Sequence, residues 1–235
     1  MTKDELFTAV MDCLAPNDGI CLYCSRYSGD DILCSVCHED LDDRRLQEPL
    51  CPHCGEPLPP DREHRCSLPP RLSARSVWHY DSLAGWLIRQ LKFHHVLIAA
   101  RPLTEGMAAL ASSLDLNGIA CVTWVSMPPS RRRDRGYDQA QVLAEGLAQA
   151  LGLPCRQLLL RPDKVEHQVG LNGEERRRNL QGTFTCAEDL PQGGVILVDD
   201  VYTTGATIAA AAQCLLDGGV SRVLALTAAR AGVDW

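Results

Sequence analysis

The stretch "VILVDDVYTTGAT", residues Val195–Thr207, places two adjacent carboxylates directly after an apolar run and just before a turn of hydroxyls and glycine. The apolar run is typical of a buried strand, and the alanine-rich residues after the turn predict a helix. In open parallel sheets, ligands bind beyond the carboxyl ends of the strands. We therefore expect Asp199 and Asp200 to lie at the ligand-binding edge of a sheet.

The turn between this strand and the helix has the chemistry of a phosphate site. A helix N-terminus offers free N–H groups and a partial positive charge, glycine lets the backbone approach, and threonine hydroxyls add donors. Carboxylates repel phosphate but accept hydrogen bonds from vicinal sugar hydroxyls, so a ribose 5-phosphate unit suits both groups. Its phosphate would contact Thr203, Thr204, Gly205, Ala206 and Thr207. The alternative is that the two acids only cap the helix.

Strand-like and helix-like segments alternate from about residue 72 onward, which predicts an α/β domain with a parallel sheet over residues 71–235. The predicted strands cover 76–80, 120–127, 194–200 and 222–229. The predicted helices cover 82–92, 97–114, 138–152 and 207–219.

Residues 1–19 predict a short amphipathic helix, because Thr2 and Glu5 have the spacing of a capping box. The segment carries acids and lacks the pattern of a secretory signal. No apolar run of the sequence approaches the roughly 20 residues that span a bilayer. We therefore expect a cytoplasmic location without membrane insertion.

Seven of the twelve cysteines lie between residues 20 and 70, which we interpret as a small zinc-binding module. Cys21, Cys24, Cys34 and Cys37 have the spacing of two zinc knuckles, and four thiolates suit a closed structural site. In the alternative pairing, Cys34 and Cys37 share an ion with the next cysteine pair.

The first 66 residues are acidic, with 14 Asp/Glu against 6 Lys/Arg, whereas the remainder holds 16 acidic and 17 basic residues. An acidic surface attracts nucleic-acid phosphates poorly. We therefore expect the cysteine-rich module to serve stability or protein contacts, and any DNA contact to use arginines of the second domain.

Four motifs together resemble the ComF/GntX family of competence proteins and occur in that family's order between residues 21 and 230. The opening stretch resembles the phosphoribosyl-pyrophosphate (PRPP) loop of type I phosphoribosyltransferases. The other motifs are "LIRQLKF" (87–93), "RRRDRGYDQAQVLA" (131–144) and "HQVGLNGEERRRNLQGTF" (167–184). The resemblance implies a parallel sheet of the type I phosphoribosyltransferase type, preceded by a double zinc-ribbon-like module.

The resemblance also implies that PRPP binds with Mg²⁺ at the carboxyl edge of the sheet. Besides the acids and the turn, its expected ligands are Lys92, Arg131, Arg133 and Arg135. Asp199, Asp200 and Arg131 would be the catalytic groups. Two alternatives stay open: the arginines form a solvated or nucleic-acid-binding run, and Lys92 only complements the C-terminus of its helix.

Two further residue sets follow from the resemblance. Gln168, Arg176 and Asn179 would lie on a hood loop that closes over PRPP, with a salt-bridged surface helix as the alternative. A second zinc ion would take Cys51, Cys54 and Cys66, with His64 favoured over His53 as the fourth ligand.

Two functions are consistent with these features. The first is a competence protein that binds PRPP and transfers its phosphoribosyl group to an unknown acceptor. The second is a non-catalytic PRPP sensor, or a module that binds single-stranded DNA or a partner such as a helicase, peripheral to the inner face of the membrane.

Overall fold

The computed structural model describes residues 19–47, 49–58, 64, 66, 68–163 and 183–232 of the 235-residue chain. The helix predicted over residues 1–19 therefore falls almost wholly outside the described residues. In the described part of the chain, every helix is too short or too polar to cross a bilayer.

The core of the protein is a parallel sheet. The described strands are β1 (Leu72–His79), β2 (Ile119–Trp124), β3 (Leu159–Leu160), β4 (Thr185–Cys186), β5 (Gly194–Tyr202) and β6 (Val223–Arg230). Four of them pair in the parallel order β1-β6-β5-β2, and β3 pairs with β4 in a small antiparallel sheet. The predicted α/β class with a parallel sheet is confirmed.

Helices connect these strands and cover both faces of the sheet. They are α1 (Ser35–Asp43), α2 (Leu83–Phe93), α3 (Ala100–Ser112), α4 (Pro129–Arg135), α5 (Gln139–Leu151) and α6 (Ala206–Asp217). A 3-10 turn, Leu97–Ala99, precedes α3. The Ser82 hydroxyl caps α2 by accepting from the Ala84 N–H at 3.2 Å, so a short polar residue marks the start of the helix.

The central strand β5 is buried on both faces. Ile196 and Val198 belong to the core under α2, α3 and α5, whereas Val195 and Leu197 belong to the core under α6. A strand covered on both sides needs a continuous apolar run rather than an alternating one. This explains why the sequence before the two acids reads as a buried strand.

The cysteine-rich module covers the free edge of β1, the outer strand of the sheet. After α1, the Leu46 N–H donates to the Val77 carbonyl at 2.9 Å, and the His79 N–H donates to the Arg44 carbonyl at 3.2 Å. The Arg45 guanidinium lies 5.4 Å from the centre of the Trp78 ring. Because an open sheet edge invites pairing with other chains, this contact protects β1.

The structure also differs from the sequence prediction. The strand predicted at 76–80 begins earlier, at Leu72, and the helix predicted at 97–114 divides into the 3-10 turn and α3. The elements α1, α4, β3 and β4 are not predicted. Each of them is short, with at most nine residues, so its sequence pattern is weak. The division of the chain at residue 70 stays a prediction.

Candidate functional site

The two acids lie at the carboxyl edge of the sheet, as expected for ligand-binding groups. Strand β2 pairs with β5 only as far as Trp124, which aligns with Val198, so Asp199 and Asp200 lie past the last pair of that ladder. Asp200 is 4% exposed and Asp199 is half-buried. The strand continues for two residues beyond the acids and ends at Tyr202.

The Asp200 carboxylate joins the ends of two helices. Its Oδ2 lies 2.8 Å from the Lys92 Nζ and 3.2 Å from the Gln139 Nε2. Lys92 belongs to the last turn of α2, and Gln139 is the first residue of α5. The structure therefore brings Lys92 to the site, where it compensates an acid rather than only the C-terminus of its own helix.

The segment between α4 and α5 is fixed against the end of α2. The Arg135 guanidinium donates to the Gln139 side-chain oxygen and lies 5.8 Å from the centre of the Phe93 ring. The Tyr137 hydroxyl donates to the Leu91 carbonyl. Gly136, with φ of 82°, allows the chain to turn between the two helices. The motifs 87–93 and 131–144 thus meet at the site, although 37 residues separate them.

Asp138 caps α5 and also holds the loop after β2. Its Oδ1 accepts from the Ala140 and Gln141 N–H groups at 3.0 and 3.4 Å, and its Oδ2 accepts from the Met127 N–H at 3.0 Å. Burial raises the pKa of Asp138 although these backbone donors oppose the shift. Its side chain therefore has a structural role at the site.

Asp199 has a strongly perturbed acidity. Burial, followed by the neighbouring Asp200 carboxylate, raises its pKa well above the ordinary range. The Asp200 backbone N–H donates to the Asp199 Oδ1 at 2.8 Å and only partly offsets this effect. A carboxyl in such surroundings is stabilised by any ligand that donates hydrogen bonds to it.

The turn after β5 presents hydroxyls to solvent around a glycine. Thr203 and Thr204 are exposed, and the Thr204 Oγ1 accepts from the Ala206 N–H at 3.4 Å at the start of α6. Gly205 has φ of 73°, and a Cβ built there would lie 2.2 Å from the Tyr202 hydroxyl oxygen. Only glycine fits this position, for conformational and for steric reasons.

The arginines of α4 separate into different environments. Arg131, Arg132 and Arg133 are exposed, and Arg133 also lies 3.5 Å from the Asp163 carboxylate. The Ser130 N–H also donates to Asp163, which ties α4 to the segment after β3. Arg131 thus remains a candidate for an anionic ligand, whereas Arg133 contacts an acid and Arg135 donates to Gln139.

Arg161 is a site residue that the sequence analysis missed. Its guanidinium is half-buried and lies 5.4 Å from the centre of the Phe184 ring. Burial, then the positive charge of Arg131, lowers the pKa of Arg161, and the negative charge of Asp199 opposes this shift. Arg161 thus belongs to the electrostatic surroundings of both residues. Its only sequence signal is a single cation after an apolar run.

The hood-loop residues Gln168, Arg176 and Asn179 lie outside the described residues. Their closure over a ligand stays a prediction.

The structure gathers the predicted metal ligands into two sets, which we call the first and second tetrads. The first tetrad consists of Cys21, Cys24, Cys34 and Cys37. The second tetrad consists of Cys51, Cys54, His64 and Cys66. Within each set, all ligand atoms lie within 4.8 Å of one another, as a tetrahedral zinc site requires.

The two tetrads decide between the pairings left open by the sequence. Cys34 and Cys37 join the first pair of cysteines, and His64 rather than His53 completes the second set, with its Nε2 3.2 Å from the Cys54 Sγ. Four ligand atoms converge in each set, so each tetrad could hold a zinc ion.

The chain is similar to known proteins, although no protein-family model matches it. "DNA utilization protein YhgH" of Salmonella typhimurium is 33% identical over 202 residues, which cover 81% of this chain and 87% of the relative. The chain belongs to the ComF/GntX family. "Competence protein F" of Haemophilus influenzae is 28% identical to this chain over 230 residues. The match covers 90% of this chain and 96% of the relative.

One solved structure that resembles the chain is glutamine PRPP amidotransferase from B. subtilis complexed with ADP and GMP. The match has 21% identity and a TM-score of 0.39, and it covers 55% of this chain. The matched part spans only 26% of that enzyme.

The raised pKa of Asp199 predicts that ionisation of this carboxyl lowers the free energy of unfolding. A carboxyl that binds its proton more tightly in the folded chain makes the free energy of unfolding fall as the pH rises from the unfolded to the folded pKa. We expect Asp199→Asn to raise the free energy of unfolding at pH 7 by about 0.5–2 kcal/mol. This gain should vanish below about pH 4, where the unfolded carboxyl is also protonated.

Urea denaturation of variant and wild type at matched pH values measures this difference. Asp115→Asn is a control of opposite sign, because the Asn117 backbone N–H and then Arg222 lower the pKa of Asp115. Its removal should lower stability at pH 7. A gain for Asp199→Asn that is the same at pH 3 and pH 7 would contradict the raised pKa.

The two tetrads predict a metal content of two zinc ions per chain. We expect Cys24→Ser and Cys66→Ser each to reduce this content to about one, because each removes one of four ligands from a single site. Cys155→Ser, at a partly buried cysteine outside both tetrads, should retain two. Inductively coupled plasma mass spectrometry of the purified protein measures the content, and a wild type with one ion would disprove the second site.

Proposed function

We propose that the protein binds PRPP at the carboxyl edge of its sheet and acts in the uptake or use of external DNA. The observation that carries the first part is the contiguity of Asp199 with the glycine-containing turn that opens α6. A ribose hydroxyl suits the acid and a 5-phosphate suits the turn, so one ligand could contact both groups.

The two acids have different tasks in this proposal. The Oδ2 of Asp200 is held by Lys92 and Gln139, so this carboxylate keeps its position. Asp199 has a raised pKa and lacks a comparable cation at hydrogen-bond distance among the described residues. We assign the primary ribose contact to Asp199, because donated hydroxyl hydrogens would relieve its unfavourable charge.

Arginines on one side of the acids would hold the pyrophosphate. Arg161 interacts electrostatically with both Arg131 and Asp199, and a guanidinium group can bind two phosphate oxygens at once. Mg²⁺ prefers oxygen ligands and would be held mainly by the pyrophosphate and water, with a carboxylate of the acid pair as the protein donor. The bound ion would neutralise charge on the pyrophosphate.

Transfer, where it occurs, would form a bond between an acceptor nucleophile and ribose C1 while the bond from C1 to the pyrophosphate oxygen breaks. Arg131 would stabilise the leaving pyrophosphate, and the acids would hold the ribose.

The link to DNA rests on the relatives. Proteins named for competence and for DNA utilization match nearly the whole chain. We propose a cytoplasmic place of action, because thiolate tetrads persist in a reducing compartment.

A second candidate function is that of a DNA- or partner-binding module without turnover. The exposed Arg131 and Arg132 on α4 favour it, because exposed arginines attract nucleic-acid phosphates. Nucleobases and amines can be tested as acceptors in the presence of PRPP. If PRPP binds but none of them causes release of pyrophosphate, the result would support this candidate over phosphoribosyl transfer.

Calorimetric titration of the full chain with PRPP and Mg²⁺ tests the proposal. We expect saturable binding by the wild type and a loss of about tenfold or more in affinity for Asp199→Asn, since a hydrogen bond to a charged group is lost. Asp115→Asn, a carboxylate bonded to Arg222 away from the site, is the matched control and should bind as the wild type does. Absence of binding by the wild type would remove the proposal.

Arg161 allows the pyrophosphate contact to be tested separately. We expect Arg161→Gln to weaken PRPP binding by about tenfold, because one charge-assisted contact to phosphate is removed. The affinity for ribose 5-phosphate, which lacks the pyrophosphate, should change little. Arg156→Gln is the control, since Arg156 bonds to Asp189 at 2.9 Å on the surface. Equal losses of affinity for PRPP and for ribose 5-phosphate would show that Arg161 does not contact the pyrophosphate.

A further inference from the structure

A buried arginine lies between the second tetrad and the turn that opens α6. Arg230 is the last residue of β6 and is 5% exposed. A buried guanidinium is costly unless its donors are paired, so its partners carry information about its role. No motif of the sequence includes this residue.

On one side, Arg230 contacts the second tetrad. Its Nη1 donates to the backbone carbonyl of Cys54 at 2.9 Å, and its Nη2 donates to the Glu56 Oε2 at 3.2 Å. The same Glu56 oxygen lies 3.7 Å from the Nδ1 of His64. One guanidinium therefore contacts the backbone of one ligand and the carboxylate that faces the ring of another.

On the other side, Arg230 contacts the residue that supports the turn. Its guanidinium lies 4.1 Å from the centre of the Tyr202 ring. The Tyr202 hydroxyl occupies the space next to Gly205 into which a Cβ would project, so the ring lies directly beneath the turn. The Ala231 N–H, next to Arg230, donates to the Tyr202 carbonyl at 2.8 Å.

We propose that Arg230 is a positioning residue through which the second tetrad orders the phosphate-binding turn. Metal at the second tetrad would hold Cys54 and His64 in place. The Cys54 carbonyl then orients Arg230 directly, and His64 orients it through Glu56. Arg230 in turn holds the Tyr202 ring under Gly205. The first tetrad contacts a different element, since Tyr23 packs against Trp86 of α2 with ring centres 5.1 Å apart. The two metal ions thus have different roles.

The guanidinium group is essential to this arrangement. Lysine keeps the charge but offers neither the flat surface that stacks on tyrosine nor two donors in a fixed fork. Arg230→Lys therefore removes the connection while retaining a cation. Arg222→Lys is a matched control, because Arg222 precedes the other end of β6 and donates in the same manner to the Asp115 and Asn117 carbonyls, at 3.0 and 2.6 Å.

Amide hydrogen exchange measured by NMR on the full zinc-bound chain tests the connection without any ligand. The Ala209 N–H donates to the Gly205 carbonyl at 2.8 Å and reports on the turn. We expect Arg230→Lys to raise its exchange rate about tenfold, since hydrogen bonds from a charged donor are lost. Arg222→Lys should leave this rate unchanged. The Val125 N–H, bonded to the Val198 carbonyl, is the internal reference for general loss of stability.

Loss of one ligand from each tetrad tests the dependence on the metal. Cys66→Ser should accelerate exchange at Ala209 relative to Val125, whereas Cys24→Ser should not, although each variant loses one zinc ion. Equal effects of the two variants, or equal rates in Arg230→Lys and Arg222→Lys, would overturn the proposal. If Cys66→Ser does not fold, the comparison of the two arginine variants still decides.

The consequence for ligand binding rests on the proposed function. We expect Arg230→Lys to weaken PRPP binding severalfold or more and Arg222→Lys to leave it unchanged. If the wild type does not bind PRPP, the proposed function fails, and the exchange measurements still decide whether Arg230 orders the turn.

Discussion

The arrangement of the site depends on how the chain compensates two adjacent carboxylates at the end of a doubly buried strand. Like charges at this separation repel each other strongly where water is scarce. The Lys92 ammonium at 2.8 Å offsets the charge of Asp200. This ion pair brings the C-terminal end of α2 to the end of β5, and the hydrogen bond from Gln139 brings the N-terminal end of α5 to the same carboxylate. One acid thus connects three elements.

The acidic cysteine-rich module contacts two strands of the sheet. It pairs with the free edge of β1, and its second tetrad lies against the end of β6 through Arg230. A segment with few apolar residues folds poorly without metal or disulfide support. Metal ligation therefore supports a module whose contacts extend along two neighbouring strands of the sheet.

The sequence predicts what is encoded locally and misses what depends on distant partners. Continuous apolar runs and helical periodicity place most long elements, and cysteine spacing indicates the metal ligands but leaves their pairing open. Arg161 and Arg230 are single arginines beside apolar runs, and neither has a local pattern. The Cys54 partner of Arg230 lies 176 positions away in the sequence, so only the fold reveals their contact. Lys92 and Asp200 each lie in a recognisable motif, but their contact also joins distant parts of the sequence and is revealed only by the fold.

The unequal environments of the two acids have a consequence for affinity. A protein that compensated both carboxylates would be more stable but would present satisfied groups to a sugar. Here Asp199 is left half-buried beside a like charge, which raises its pKa and destabilises its ionised form. Hydroxyl donors or a cation would relieve this cost only upon binding. Sites that retain such unfavourable groups commonly exchange some stability for function. In the proposed function, the contacts of Lys92 and Gln139 keep Asp200 in place, and Asp199 would respond to the ligand.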